Sequence, residues 1–369
     1  MLAGLGLSWG QNNFGELGDP MATERYVPGE VSMPTGVTFA TITTGAYHTA
    51  ALTTAGDVYA WGFNIFGQLG DGTTTDAATP VQSTLPMGTT VTQLVAGVAH
   101  NLALTSTGEV YAWGYNAYGQ LGDGTTTDRD TPVPVDLPVG VTISSVGAGW
   151  NHSVAVTSTG ELLAWGDNEN GQLGDGTTTN SDTPVQVLLP TGVTVTTAAG
   201  GLNHSLAVTF TGEVLAWGDN GNGQLGDGTL TARDTPVATW PAGVTVTDVR
   251  GGQNLSFALT STGGALVWGL NSAGQLGDGT AIDRYVPGAV NLPPGITLTG
   301  IAGHMLTCLA VTSTGTLLAW GSGGAGPCGD GTAADRSAPV ATFLPAETTI
   351  AGADAFWTFA AAVTGPPPP

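Results

Sequence analysis

Four of the five histidines in this 369-residue chain, His48, His100, His152 and His204, stand thirteen residues ahead of a tryptophan. Imidazole is the side chain best suited to proton transfer or metal ligation near neutral pH, so these positions come first. Their spacing argues against both chemistries. A metal ring or a catalytic array needs donor atoms that converge on one point, with base, nucleophile and orienter within contact range. One position repeated about every 52 residues instead spreads equivalent atoms around a circle. The four are therefore read as structural and hydrogen-bonded; the same position holds Leu255 and Thr307 in later repeats, and His304 lies out of register. The loops Asp71 to Asp76 and Asp123 to Asp128, both Asp-Gly-Thr-Thr-Thr-Asp, offer oxygen ligands and raise a calcium-stabilised adhesion module as a remote alternative. They lack the alternating acids and terminal glutamate of a dedicated calcium loop, and Asp beside Gly is ordinary turn chemistry. Asp71, Asp123, Asp175 and Asp227 are read as structural, with no metal or cofactor expected. Cys308 and Cys328 fall in the last repeat without zinc-ligand spacing and allow at most one optional disulfide. No nucleophile motif is present, so a hydrolase is disfavoured and the chain is expected not to be an enzyme.

Charge narrows the partners. Six arginines, no lysine and 28 acids give a net charge of −22, which disfavours a grip on phosphate backbones or anionic lipid. Nucleic acid is excluded on this reading. Five arginines (Arg25, Arg129, Arg233, Arg284, Arg336) fall sixteen residues after a tryptophan, dispersed as loop braces rather than gathered into a patch. No apolar run approaches the roughly 18 residues of a membrane span, and the N-terminus lacks the basic and apolar regions of a signal peptide. Absent lysine, an acidic Thr- and Gly-rich character and a proline tail favour an extracellular or cell-surface location for a monomer.

The elements that must position these residues follow from the repeat. Trp-Gly recurs at Trp9, Trp61, Trp113, Trp165, Trp217, Trp268 and Trp320, spaced 52, 52, 52, 52, 51 and 52. An aspartate follows each tryptophan by ten residues and a proline by nineteen. With 59 glycines, 22 prolines and only 9% charged residues, a period near 50 built of short β segments fits four-stranded propeller blades. The strands of the second blade are placed at about Val91–Gly97, Asn101–Thr105, Glu109–Trp113 and after Pro132. Proline at the start of the last strand suits an outer edge, and Ala148-Gly149, Gly200-Gly201 and Gly251-Gly252 suit a crowded axis. Gly4 to Trp9 matches Gly56 to Trp61, and Thr358 to Gly365 matches Thr49 to Gly56, so the two ends share one blade and close the ring. The reading is an all-β, seven-bladed propeller over residues 1–365, with 366–369 as a proline-rich tail or linker start.

The motif Gly-x-x-His (Gly45 to His48, Gly97 to His100, Gly149 to His152, Gly201 to His204), followed by Trp-Gly-x-Asn-x-x-Gly-Gln-Leu-Gly-Asp-Gly-Thr, resembles the repeat of the regulator of chromosome condensation family. The resemblance covers essentially the whole chain. It implies a seven-bladed propeller and does not fix function, since members include a nucleotide-exchange factor, ubiquitin-ligase domains and secreted bacterial β-lactamase inhibitors. Guanine-nucleotide exchange on a small GTPase is the alternative function. In the family it goes with a wedge-like insertion, for which the uniform spacing leaves no room, so the chain is read as a bacterial-type member without the wedge.

The informative positions are those where the repeat stops repeating. Phe14, Tyr47, Phe63, Phe66, Tyr115, Tyr118 and Trp150 occupy loops where later blades carry Asp167, Asn170, Asp219 and Asn222. Rigid aromatics on variable loops are what protein-binding hot spots use. The competing reading is that these rings merely cap the blade edges. The expected function is protein binding or scaffolding through one face, with these seven residues as the contact set and Trp61, Trp113, Trp165 and Trp217 as structural repeats.

Overall fold

The computed structural model describes residues 3–239, 243–303 and 306–366; His304 and the end of the proline tail lie outside them. The described residues form 28 strands in seven four-stranded antiparallel sheets and no helix. In six blades the strands run consecutively from axis to rim, as in Phe39–Thr44, His48–Thr53, Val58–Gly62 and Ala77–Gln82. The seventh is shared: Ile350–Phe356 and Phe359–Thr364 supply the inner half, and Gly6–Gln11 and Glu24–Glu30 the outer half. Gly6 pairs with Val363 and Gly10 with Phe359. This closure leaves neither terminal half-blade with an unpaired inner edge, so the edges that remain are the short strands at the axis and the rim.

Burial follows position in the blade. The second strand, for example His100–Thr105, is buried at every residue because both its faces meet neighbouring blades. The outermost strand, Arg129–Pro134, is mostly only partly buried, with two of its six residues exposed. The core is divided between blades: Leu102, Val110 and Ala112 of the second blade pack with Ala155, Leu163 and Trp165 of the third.

The tryptophans lock these interfaces. All seven are buried, and each indole Nε1 donates to a backbone carbonyl of the preceding blade: Trp61 to Glu16, Trp113 to Gln68, Trp165 to Gln120, Trp217 to Gln172, Trp268 to Gln224, Trp320 to Gln275 and Trp9 to Pro327. The loop that presents the carbonyl must press against the ring. At Gly70 (φ 68°) a Cβ would lie 2.7 Å from Trp113 Nε1, so only glycine fits.

Three details differ from expectation. The outer strands begin before the proline: the second blade's runs from Arg129, so Pro132 sits inside it, within the register irregularity between Arg129 and Val133. A proline lacks the N–H of a regular ladder, and the irregular edge strand accommodates it. The terminal match is shifted by two residues, because Phe359 pairs with Gly10 as His48 pairs with Gly62. Phe359 therefore takes the histidine position, and the alanine run Ala360–Ala362 behind it carries too little pattern to reveal its register. Cys308 and Cys328 are both free and buried, without the optional disulfide.

Deleting residues 358–369 removes a strand paired on both sides. Phe359 and Val363 are fully buried, and their exposure alone costs roughly 4 kcal/mol. Denaturant unfolding is expected to show at least that loss, and light scattering a tendency to associate; unchanged unfolding and monodispersity would show that closure is dispensable.

Candidate functional site

Four repeated features build the scaffold of the loops. The first is the histidine chain. His48, His100, His152 and His204 are fully buried, and each Nε2 reaches the next blade: Asn101 Oδ1 at 3.2 Å, Ser153 Oγ at 3.1 Å, Ser205 Oγ at 2.8 Å and Ser256 Oγ at 2.9 Å. Each of those serine hydroxyls donates onward to a glutamine carbonyl, as Ser153 does to Gln120. The serine oxygen must therefore accept, which fixes the proton on Nε2 and leaves Nδ1 as a buried lone pair without a partner. The close approach behind the ring needs glycine: a Cβ on Gly97 would lie 2.2 Å from His100 Cε1. Burial drives the pKa of His48 down to about 4, and those of His100, His152 and His204 to about 3. The histidines thus form interblade ties held neutral, with no convergence on one point.

The second feature is the aspartate loop. Asp123 accepts from the Thr125 N–H at 3.1 Å and hydroxyl at 2.7 Å, and from Arg129 Nε at 2.7 Å. Burial works to raise its pKa, but those bonds outweigh it and hold the carboxyl low. Asp227 does the same with Thr229 and Arg233. Asp71 and Asp175 bind Thr73 and Thr177 in the same way without an arginine. These oxygens are committed to internal donors, and no group of three or more metal-ligating side chains stands together among the described residues.

The third feature is an asparagine two residues after the Trp-Gly pair. Asn116 accepts from the Leu121 N–H and donates to the Thr125 and Thr127 carbonyls, pinning the whole loop. The fourth is the axial crowding: a Cβ on Gly200 would lie 2.4 Å from the Gly149 Cα.

On this fixed frame the aromatic loops meet at one face. The chain of ring contacts runs Trp357, Tyr47, Phe63, Phe66, Tyr115, Tyr118, with centroid separations of 5.5, 6.2, 6.1, 4.8 and 6.3 Å, and Phe14 packs at a tilt against both Tyr47 (5.2 Å) and Phe63 (4.8 Å). All seven rings expected at the contact set, Phe14, Tyr47, Phe63, Phe66, Tyr115, Tyr118 and Trp150, are partly exposed. Six of them, all but Phe14, line a concavity of about 350 Å³ with Trp357, Val98, Gln68 and Asn151. Trp150 closes one side of the concavity and packs on Phe356 at 6.1 Å. Trp357, 41% exposed and at φ 48°, was not among the expected residues. It lies in the inner hairpin turn where the first three blades carry Ala46, Val98 and Trp150. Its signal in the sequence is a tryptophan beside two phenylalanines in the terminal half-blade.

Two buried carboxylates lie near these rings. Glu16 takes the place of the glutamine at Gln68 and Gln120; burial raises its pKa although Asn13 and Phe14 N–H groups bind it. Burial, with Glu16 nearby, raises the Tyr47 phenol. Asp167, which replaces an aromatic in the third blade, is largely buried with a raised pKa, and its N–H is bound by the Asn151 carbonyl at 2.9 Å.

Residues 6–361 match the RCC1-like domain family. The chain is 35% identical to the Ultraviolet-B receptor UVR8 of Arabidopsis thaliana over 90% of its own length and 76% of the receptor's. It is 31% identical to the human E3 ubiquitin-protein ligase HERC2 over 88% of its own length but only 7% of the ligase. In fold it matches human WBSCR16 (TM-score 0.85, 24% identity, 98% and 99% of the two chains). It also matches yeast RCC1 (Prp20) as bound to Kap60, with TM-score 0.87, 23% identity, and 98% and 89% covered.

Lowering the pH tests the histidine ties. The unfolded histidines take up protons near pH 6.5, whereas the folded ones resist to about 4 or 3. The unfolded state binds more protons across that window, so stability falls as pH drops from about 6.5. Each histidine contributes up to about 1.4 kcal/mol per pH unit. Glu16 and Asp167, whose acid forms burial favours, act in the opposite sense, so the comparison that isolates one tie is His100→Ala. That variant is expected to lose about 1–3 kcal/mol at pH 7 and to show a shallower decline between pH 5.5 and 4.5. Parallel declines would count against a neutral, buried His100.

Proposed function

The chain belongs to the RCC1-like domain family, and on that premise we propose that it works without catalysis as a protein-binding or scaffolding propeller whose working surface is the aromatic face. The observation that carries this reading is the concavity itself. Interacting rings from the closing blade and the first three blades gather at one end of a symmetric scaffold, where equivalent positions two blades on are Asp167, Asn170, Asp219 and Asn222. Blade geometry is nearly constant, so edge capping alone gives no reason for the rings to collect in one sector. A soluble protein seldom keeps such a patch without use, and partly exposed aromatics in a preformed hollow are efficient anchors because they lose little entropy on binding. Relatives as different as a photoreceptor, a ubiquitin ligase and a Kap60-bound RCC1 support a module whose work is set by its loops. A surface with no lysine and 28 acids supports the further reading that the module is exported or surface-held.

A photo-crosslinking amino acid in place of Ile65, 58% exposed beside the rings, is expected to capture a partner in the source organism that the same group at Phe210, 81% exposed on the opposite face, does not. Single Ala replacements of Phe66, Tyr118 and Trp150 are expected to weaken that complex by about 1–3 kcal/mol each with little change in melting. Equal capture at both faces, or aromatic variants that bind normally, would refute the assignment.

A further inference from the structure

The aromatic hollow contains one polar group whose chemistry is unfinished. Asn151 lines it, and its side-chain Oδ1 is buried without a hydrogen-bond partner. An acceptor in that position asks for a donor, and leaving it empty carries a desolvation penalty. The same hollow is lined by Trp150, Tyr115, Phe66 and Tyr47, aromatic rings whose π clouds attract cations. Asp167 is bound through its N–H to the Asn151 carbonyl, and Glu16 lies close enough to perturb Tyr47. A donor-seeking oxygen among aromatic rings favours a cation with N–H groups.

The chain offers no unpaired arginine or lysine as an internal source of that cation. The chain has six arginines and no lysine. Each arginine is already ion-paired with an aspartate: Arg25 with Asp19, Arg129 with Asp123, Arg233 with Asp227, Arg250 with Asp248, Arg284 with Asp278 and Arg336 with Asp330. A second copy would have to break one of these pairs to reach the hollow. The surface that remains is acidic, with a net charge of −22, and draws basic partners toward it from a distance.

We propose that the hollow receives an arginine side chain of a partner protein, its guanidinium laid against the Trp150 and Tyr115 sector and donating to Asn151 Oδ1. Arginine suits the site better than lysine: a planar, weakly hydrated guanidinium stacks on a ring while its five N–H groups reach in-plane acceptors, whereas an ammonium holds its water. A hollow of about 350 Å³ holds that side chain together with part of the flanking backbone. This inference rests on the protein-binding reading above and adds the chemistry of the anchor.

A phage-displayed library of random 12-residue peptides, selected on the immobilised full chain and counter-selected on the F66A/Y118A/W150A variant, tests the two separately. Circular dichroism and melting establish first that the variant is folded; if it is not, Trp150→Ala alone replaces it. Groove-dependent peptides are expected to be enriched in arginine. In the tightest of them, arginine replaced by its neutral isostere citrulline should lose at least tenfold in affinity by calorimetry, and Asn151→Ala in the protein should cost the parent peptide at least threefold while leaving the citrulline peptide unchanged. Groove-dependent peptides rich in proline or aliphatic residues, or a citrulline peptide that binds as well as its parent, would overturn the arginine anchor and leave the protein-binding reading standing. No groove-dependent peptide at all would overturn both.

Discussion

The hydrogen bond from each tryptophan indole to a carbonyl of the blade before it is the interaction on which the rest of this protein depends. It does three things at one point. It buries the largest side chain in the blade, satisfies its only polar atom, and fixes the distance from one blade to the next. The loop presenting the carbonyl must then carry glycine against the ring, as Gly70 does against Trp113. Because the same bond recurs seven times, including Trp9 to Pro327 across the closing blade, the ring closes without an adjustable joint.

A second circle of ties supports the first. The buried histidines reach from one blade's second strand to the next blade's serine or asparagine, and that group reaches on to the carbonyl the tryptophan also uses: Gln120 O accepts from both Ser153 and Trp165. Such a network is worth most when every member is satisfied. Among its open elements is the row of Nδ1 atoms, tolerated because the neutral tautomer puts no charge there; the Nε2 groups of Gln120, Gln172 and Gln275 are also buried without a partner. Where the network lapses, the substitutes are apolar or self-contained: Leu255 and Phe359 are fully buried, and Thr307 bonds to Ser322 O within its own blade. The ring therefore closes without the histidine tie at three of its seven positions, whereas the tryptophan bond is present at all seven.

Rigidity of this kind leaves the loops free to diverge. The asparagine brace (Asn64, Asn116, Asn168, Asn220, Asn271) holds each loop's backbone in one shape whatever stands at the positions between. An aromatic at Phe63 or Tyr115 and an aspartate at Asp167 thus point to the same face from the same backbone. One sector becomes an apolar hollow and the next carries acids with the same backbone fold. Anchor and electrostatic attraction are placed side by side by substitution alone.

The sequence by itself determined the blade count, the four-strand pattern, the closure and the aromatic sector, because each is written as a periodic signal or as a departure from one. Seven tryptophans at near-constant spacing force seven equivalent interfaces, and Phe63, Phe66, Tyr115 and Tyr118 stand out against aspartate and asparagine at matched positions. Tertiary structure alone decided what depends on the angle between blades or on local register. Pro132 lies within a strand rather than before it, since the ladder breaks its register there. Trp357 joins the hollow because the pairing of Phe359 with Gly10 turns it toward Tyr47 across the seam, a contact between residues 310 positions apart in the chain. The unpartnered oxygen of Asn151 is visible only once the surrounding donors have all been assigned elsewhere. Periodicity specifies which residues are equivalent; only the closed ring specifies which unequal ones become neighbours.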